Sequence, residues 1–190
     1  ATTRGMVTMV VSNGTRMDSA WISRHADLLR WAAISVDSLN PETNRRIGRT
    51  VGNKLAPDEG FYAELFANLA ASGIRTKMNT VVSRLNWRED FTEFLRRARP
   101  ERWKVLQALH IYGENDAAFP ELATTREQFH SFVEAHRSLD AQLMMAAEDN
   151  DAMTGSYLMV DPVGRFFTNE GGVFRYSEPI WKVGWARARA

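Results

Sequence analysis

No cysteine occurs among the 190 residues. Disulfides, thiolate zinc sites, cysteine nucleophiles and cysteine-ligated iron–sulfur clusters are therefore excluded from this chain's own residues. Histidine is scarce too. His25, His110, His130 and His136 are the only four, and no two share metal-ligating helical spacing with a carboxylate partner. No apolar run is long enough to span a bilayer, and Ala1-Thr2-Thr3-Arg4-Gly5 lacks the pattern of a signal peptide. A surplus of one charge sign is missing as well: the formal net charge is +1, so any anion site must come from local placement of charge. Fixed-period repeats and low-complexity linkers are also absent.

What is present suits one well-buried domain, with 44% hydrophobic and 25% charged residues. The chain opens almost at once into a continuous apolar strand over Met6–Val11, as a piece of something longer would. Asp18 caps an expected helix over Ser19–Leu29, and Trp31–Val36 reads as a second buried strand. Asn40-Pro41-Glu42 starts a short helix through Arg46. Gly60–Ser72 is amphipathic, with Phe61, Leu65 and Leu69 on one face and Gly73 as its stop. A strand over Arg75–Val82, a helix over Arg88–Ala98 and a strand over Arg102–His110 follow. Ala117–Ala123 reads as a loop, and Thr125–His136 as a helix. Ser156–Val160 and Arg165–Thr168 form a hairpin around Asp161-Pro162-Val163-Gly164. Gly171–Ala190 is weakly patterned. Repeated βα units predict parallel strands with right-handed crossovers, either a barrel or an open doubly wound sheet.

Two of these strands carry cations where a covered sheet ordinarily does not. Side chains alternate along a strand, so Lys77 and Asn79 share one face, as do Arg102 and Lys104. Paired cations on a strand face call for an anionic partner, and two such strands side by side describe a pocket for a polyanion. Trp103, between two cations, is expected against the covering helices. His110 is read as ending that strand on the face of Arg102 and Lys104, where it either lines the same pocket or simply packs. Ser12-Asn13-Gly14 closes the first strand and Ser35 and Asp37 the second, at the strand ends where α/β folds bind ligands. Asn13-Gly14 reads equally well as a plain turn, and Ser35 as a satisfied hydroxyl. Arg96-Arg97 with Arg99 is a solvated helix end, and no nucleic-acid partner is expected.

From about Val10 to Thr168 the residues resemble the viperin-like radical S-adenosylmethionine (SAM) enzymes. The carrying segments are Val11-Ser12-Asn13-Gly14-Thr15, Ile34–Ser38 and Ile47-Gly48-Arg49. Lys77–Asn86 with Glu89-Asp90, Pro100–Gln107 with Gly113-Glu114-Asn115, Glu148-Asp149-Asn150 and Ser156-Tyr157-Leu158 complete them. The first two segments are shared by many radical SAM enzymes, including the GTP cyclase of molybdopterin synthesis; the 77–115 set is the specific one.

The resemblance implies part of a (βα)6 barrel over 1–115, with a C-terminal extension over 116–190 packed on it. It implies SAM and a [4Fe-4S] cluster as cofactors, an external electron donor, and a 5′-deoxyadenosyl radical that takes hydrogen from C4′ of a ribonucleoside triphosphate. Water is then lost at C3′, giving a 3′-deoxy-3′,4′-didehydro nucleotide with an antiviral role; CTP or UTP is the expected substrate. Ser35 and Arg49, with Ser12 and Asn13 beside them, would contact SAM. Lys77, Asn79, Arg102 and Lys104 would grip the triphosphate and ribose. The family's three-cysteine motif and its Gly-Gly-Glu-Pro element have no counterpart here. This chain alone is therefore expected to be inactive, a fragment whose parent holds the cluster, with a cluster-less nucleotide-binding module or another radical SAM enzyme as alternatives. The expected location is cytoplasmic, with a membrane-associated parent as the variant.

Overall fold

The computed structural model describes residues 2–52, 56–139 and 141–189. Five strands, β1 (Met9–Ser12), β2 (Trp31–Ser35), β3 (Arg75–Val82), β4 (Arg102–Gln107) and β5 (Met144–Glu148), form one sheet in which every neighbouring pair is parallel. Their order in space is their order in the chain. The connecting helices are α1 (Ser19–His25), α2 (Pro41–Arg46), α3 (Glu59–Ala71), α4 (Thr92–Ala98), α5 (Phe119–Leu122) and α6 (Arg126–Ala135). An in-order parallel sheet is the topology of a barrel wall; a doubly wound sheet would reverse order partway.

The core lies on one side of that wall. Ala32 and Ile34 of β2, Met78 and Val82 of β3, and Trp103 and Val105 of β4 pack into a single cluster with Ile22 of α1, Tyr62, Leu65, Phe66 and Leu69 of α3, Phe94 and Leu95 of α4, and Phe129 and Phe132 of α6. Trp103 is fully buried there as expected, and its indole N–H donates to Thr80 Oγ1 at 2.9 Å. The opposite, concave face carries no connecting helix in this cluster and is left to the alternate residues of each strand.

Local chemistry sets the helix starts. Asp58 accepts from the Phe61 N–H at 2.9 Å and Asp18 from the Trp21 N–H at 2.7 Å, each satisfying an orphan donor. Thr125 and Gln128 form a reciprocal capping box at α6. Several boundaries differ from the sequence reading. α4 starts at Thr92 because the preceding chain turns around Asn86, whose Oδ1 accepts from the Ser83 N–H at 2.6 Å. α1 ends at His25, its expected last turn tightening into a 3₁₀ turn over Ala26–Leu28. The stretch expected as a loop contains the one-turn α5.

After β5 come α7 (Asn150–Met153) and a separate antiparallel sheet of β6 (Met159–Val160), β7 (Arg165–Thr168) and β8 (Arg175–Pro179). The first two are the expected hairpin, its turn held by Asp161 Oδ1 accepting from the Val163 and Arg165 N–H groups at 3.0 and 2.9 Å. β8 and the short helices α8 (Ile180–Val183) and α9 (Trp185–Arg189) come from the weakly patterned end. The wall does not stop at 115: β5 lies inside the segment read as an extension, and pairs with β4 from Arg102↔Met144 to Leu106↔Glu148. Among the described residues no helix is long and apolar enough to cross a membrane.

Candidate nucleotide and cofactor site

Parallel pairing aligns the polar residues of the concave face in rows. Ala33, Lys77, Arg102 and Met144 form one lateral row across β2 to β5. Two residues further along each strand, Ser35, Asn79, Lys104 and Ala146 form the next. Lys77 and Arg102 are thus direct cross-strand neighbours, as are Asn79 and Lys104, with strands about 4.8 Å apart. Like charges directly opposite are destabilising unless an anion sits between them. Lys77 makes no ion pair among the described residues, and its pKa is lowered, first by burial and then by Lys104 and Arg102, with Glu148 opposing. Asn79 Oδ1 is buried with no hydrogen-bond donor in reach, an unmet acceptor in the middle of the row.

Lys104 is differently placed. Its ammonium pairs with Glu148 Oε1 at 2.7 Å and donates to the Tyr157 hydroxyl, which in turn donates to Glu148. Burial pushes the Glu148 carboxyl up, but the hydrogen bonds from Lys104 and Tyr157 outweigh it and leave the carboxyl below its usual range. Tyr157 is held above the usual phenol value, by burial first and then by its bond to Glu148, with Lys104 opposing. Arg102 of the first row lies 5.2 Å from the Trp31 ring centroid and Arg75, one row below, 3.9 Å from it; Arg75 is committed to Glu101, with Nε to Oε1 at 2.8 Å.

At the strand ends, Ser35 closes β2 with a hydroxyl that makes no hydrogen bond among the described residues. Ser12 and Asn13 spend their side-chain oxygens on the turn after β1: Ser12 Oγ accepts from the Gly14 N–H at 3.0 Å, and Asn13 Oδ1 from the Thr15 N–H at 3.1 Å. Gly14 holds φ +78°, a backbone that favours glycine. Arg49 is ion-paired with the buried Asp37. His110 sits apart from this geometry. β4 ends at Gln107, so strand parity does not carry to His110; its ring stacks on Phe119 with centroids 4.5 Å apart and pairs with Asp116 at 2.7 Å.

Glu148 and Tyr157 are not among the site residues expected from sequence, and Asp37 is expected only as a polar strand end, although all three fall in segments that carry the resemblance. Their signal is long-range: Tyr157 meets Lys104 across 53 positions of chain. An unmet amide acceptor beside cations that make no ion pair among the described residues suits a polar, anionic ligand. An iron–sulfur cluster does not fit the residues present: the chain has no thiolate, and no group of three or more His, Cys, Asp or Glu that could hold a metal occurs among the described residues.

No protein-family model matches the chain. It is 39% identical over 184 residues to a protein of Flammeovirga pacifica named S-adenosylmethionine-dependent nucleotide dehydratase, an alignment covering 97% of this chain and 62% of that protein. A protein of the same name from Lacinutrix mariniflava is 39% identical over 95% of this chain and 37% of its own length. S-adenosylmethionine-dependent nucleotide dehydratase RSAD2 of Danio rerio is 33% identical over 92% of this chain and 49% of its length. The chain thus spans between about a third and three fifths of the relatives it matches. Among solved structures, SuiB of Streptococcus suis shares the fold with a TM-score of 0.56 at 12% identity, over 76% of this chain and 33% of that one.

Proposed function

We propose that this chain, which belongs to the viperin-like radical SAM family, is the substrate-holding part of a nucleotide dehydratase acting on a ribonucleoside triphosphate, CTP or UTP. Lys77 and Arg102 bind the phosphate chain, supported by their unpaired cross-strand placement. Lys104 steadies the same anion from the next row. Asn79 Oδ1 accepts from a ribose hydroxyl, which supplies the donor it lacks. Ser35 and Arg49, with Ser12 and Asn13 forming the adjoining turn, hold SAM. SAM, when bound and given an electron by an external donor, would supply the hydrogen-abstracting chemistry. Thiolates for an iron–sulfur cluster are missing from these residues, so the chain by itself is inactive in this reading. Loss of the C3′ hydroxyl as water would take one proton and, after hydrogen abstraction at C4′, one electron from the external donor; in this network Tyr157, which donates to Glu148, and the Lys104 ammonium both carry a proton.

The observation that carries the reading is the pair of opposed, unneutralised cations beside an orphaned amide oxygen. Titration of the complete gene product with CTP, CMP and cytidine tests it. The triphosphate is expected to bind at least about tenfold tighter than the monophosphate, one charge-assisted contact's worth, and Lys77→Ala with Arg102→Ala should erase the difference. Equal affinity for CTP and cytidine in the unaltered protein would refute it.

A further inference from the structure

Asp37 follows β2 and is 3% exposed, yet it is a carboxylate. Its two oxygens face two different parts of the site. Oδ2 accepts from Arg49 Nε at 2.5 Å, and Oδ1 accepts from the Val81 N–H of β3 at 2.9 Å. Its backbone carbonyl accepts from Asn86 Nδ2 at 2.5 Å, so its place is fixed from both sides. A buried carboxylate persists only when paired and hydrogen-bonded, and this one is. The surroundings are poor in water: burial, followed by the negative charge of Asp37, drives the Tyr62 phenol well above its usual value, with Arg49 opposing.

Arg49 gives Asp37 only Nε. A guanidinium has five N–H donors, and the terminal nitrogens of Arg49 make no hydrogen bond or ion pair among the described residues, with about a third of its side chain exposed. The backbone is pinned as well: Gly48 turns at φ +82°, and the Arg49 N–H donates to the Asn44 carbonyl at 2.7 Å. Asn44, fully buried, donates through Nδ2 to the Ser38 and Pro57 carbonyls at 2.9 and 2.7 Å. The arginine is therefore held at its root and at Nε, with its planar fork left over. SAM has one anionic group, its carboxylate, and a guanidinium fork matches a carboxylate bidentately.

Resting on the reading of Arg49 as a SAM contact, we propose that Asp37 is a positioning residue: it grips Arg49 by Nε so that the terminal fork meets the SAM carboxylate, and fixes that fork to β3, the strand bearing Lys77 and Asn79. The test uses two ligands that differ in the group concerned. S-adenosylhomocysteine keeps the carboxylate; 5′-methylthioadenosine lacks it. In calorimetric titrations of the complete gene product, Asp37→Asn is expected to weaken S-adenosylhomocysteine about 10–100-fold and leave methylthioadenosine unchanged. Arg49→Gln should do the same, and the double variant should be no worse than Arg49→Gln alone. Should Asp37→Asn fail to fold, Asp37→Glu, which displaces the charge by one methylene, is expected to show the same carboxylate-specific loss. A loss in Arg49→Gln with none in either Asp37 variant overturns the positioning role and leaves Arg49 as a SAM contact. No loss in Arg49→Gln overturns the cofactor reading on which the role rests. Equal losses for both ligands in the Asp37 variants mark a purely structural residue and also overturn it.

Discussion

Lys77 and Lys104 stand one row apart on the same face, but their removal is expected to have unequal effects. Lys77 is unpaired among the described residues, whereas Lys104 is bound to Glu148 at 2.7 Å. Lys77→Ala deletes one charge-assisted contact to the triphosphate, worth about 1.5–3 kcal/mol. Lys104→Ala deletes a comparable contact and also leaves the Glu148 carboxylate, with only a quarter of its side chain exposed, turned toward the phosphates without its cation. Glu148 stands opposite Leu106, two rows or roughly 13 Å beyond the row of Lys77 and Arg102, and a unit charge at that distance with an effective dielectric near 20 contributes about 1.3 kcal/mol of repulsion. Lys104→Ala should therefore weaken CTP binding by about one further order of magnitude beyond Lys77→Ala. Glu148→Gln in the Lys104→Ala background should recover most of that excess. In the unaltered background Glu148→Gln should tighten CTP, because Lys104 is released to the ligand. Calorimetry at low and moderate salt reads the four variants against the unaltered protein, with the excess shrinking as salt rises. Equal losses in the two lysine variants, or no recovery from Glu148→Gln, would refute the reasoning.

His136→Leu should lower the melting temperature by about 2–10 °C, because the buried Phe91 N–H then loses the Nε2 acceptor it meets at 2.9 Å; an unchanged melt in differential scanning calorimetry would contradict this. The Glu148 carboxyl, lower in the folded chain than in the unfolded one, contributes stability that is complete above the ordinary carboxyl range and disappears as pH falls through the lowered value. Urea midpoints measured from pH 7 down to pH 3 should accordingly fall less steeply in Glu148→Gln than in the unaltered protein, and parallel curves would speak against it.

Period-two alternation made β3 legible: Lys77 and Asn79 on one face and Met78 and Thr80 on the other are where parity puts them. The rows themselves are not legible, since the register between β3 and β4 is a long-range alignment that neither strand's own residues mark. β5 was missed for a plainer reason. Met144-Met145-Ala146-Ala147-Glu148 has little β-propensity and no clean alternation, so it is a strand because β4 offers it an edge. Without β5, Glu148 has no assigned face and the partner of Lys104 is invisible. His110 shows the opposite failure. Apolar residues continue past Gln107, but the backbone leaves the sheet after Ala108 bonds to the Val82 carbonyl at 2.9 Å, and parity ends with the ladder.

Along β3, Thr76, Met78, Thr80 and Val82 face the helices while Arg75, Lys77, Asn79 and Val81 face the hollow, one residue of each kind in turn. The strand behaves like a reading frame. Substitutions in the second set change what the hollow holds and leave the core untouched, so ligand preference can drift at small cost to folding. A single inserted or deleted residue shifts the frame, sending Lys77 into the aromatic core and Met78 into the hollow. Proteins built on this wall should therefore differ in β3 by substitution and confine their changes of length to the loops on either side.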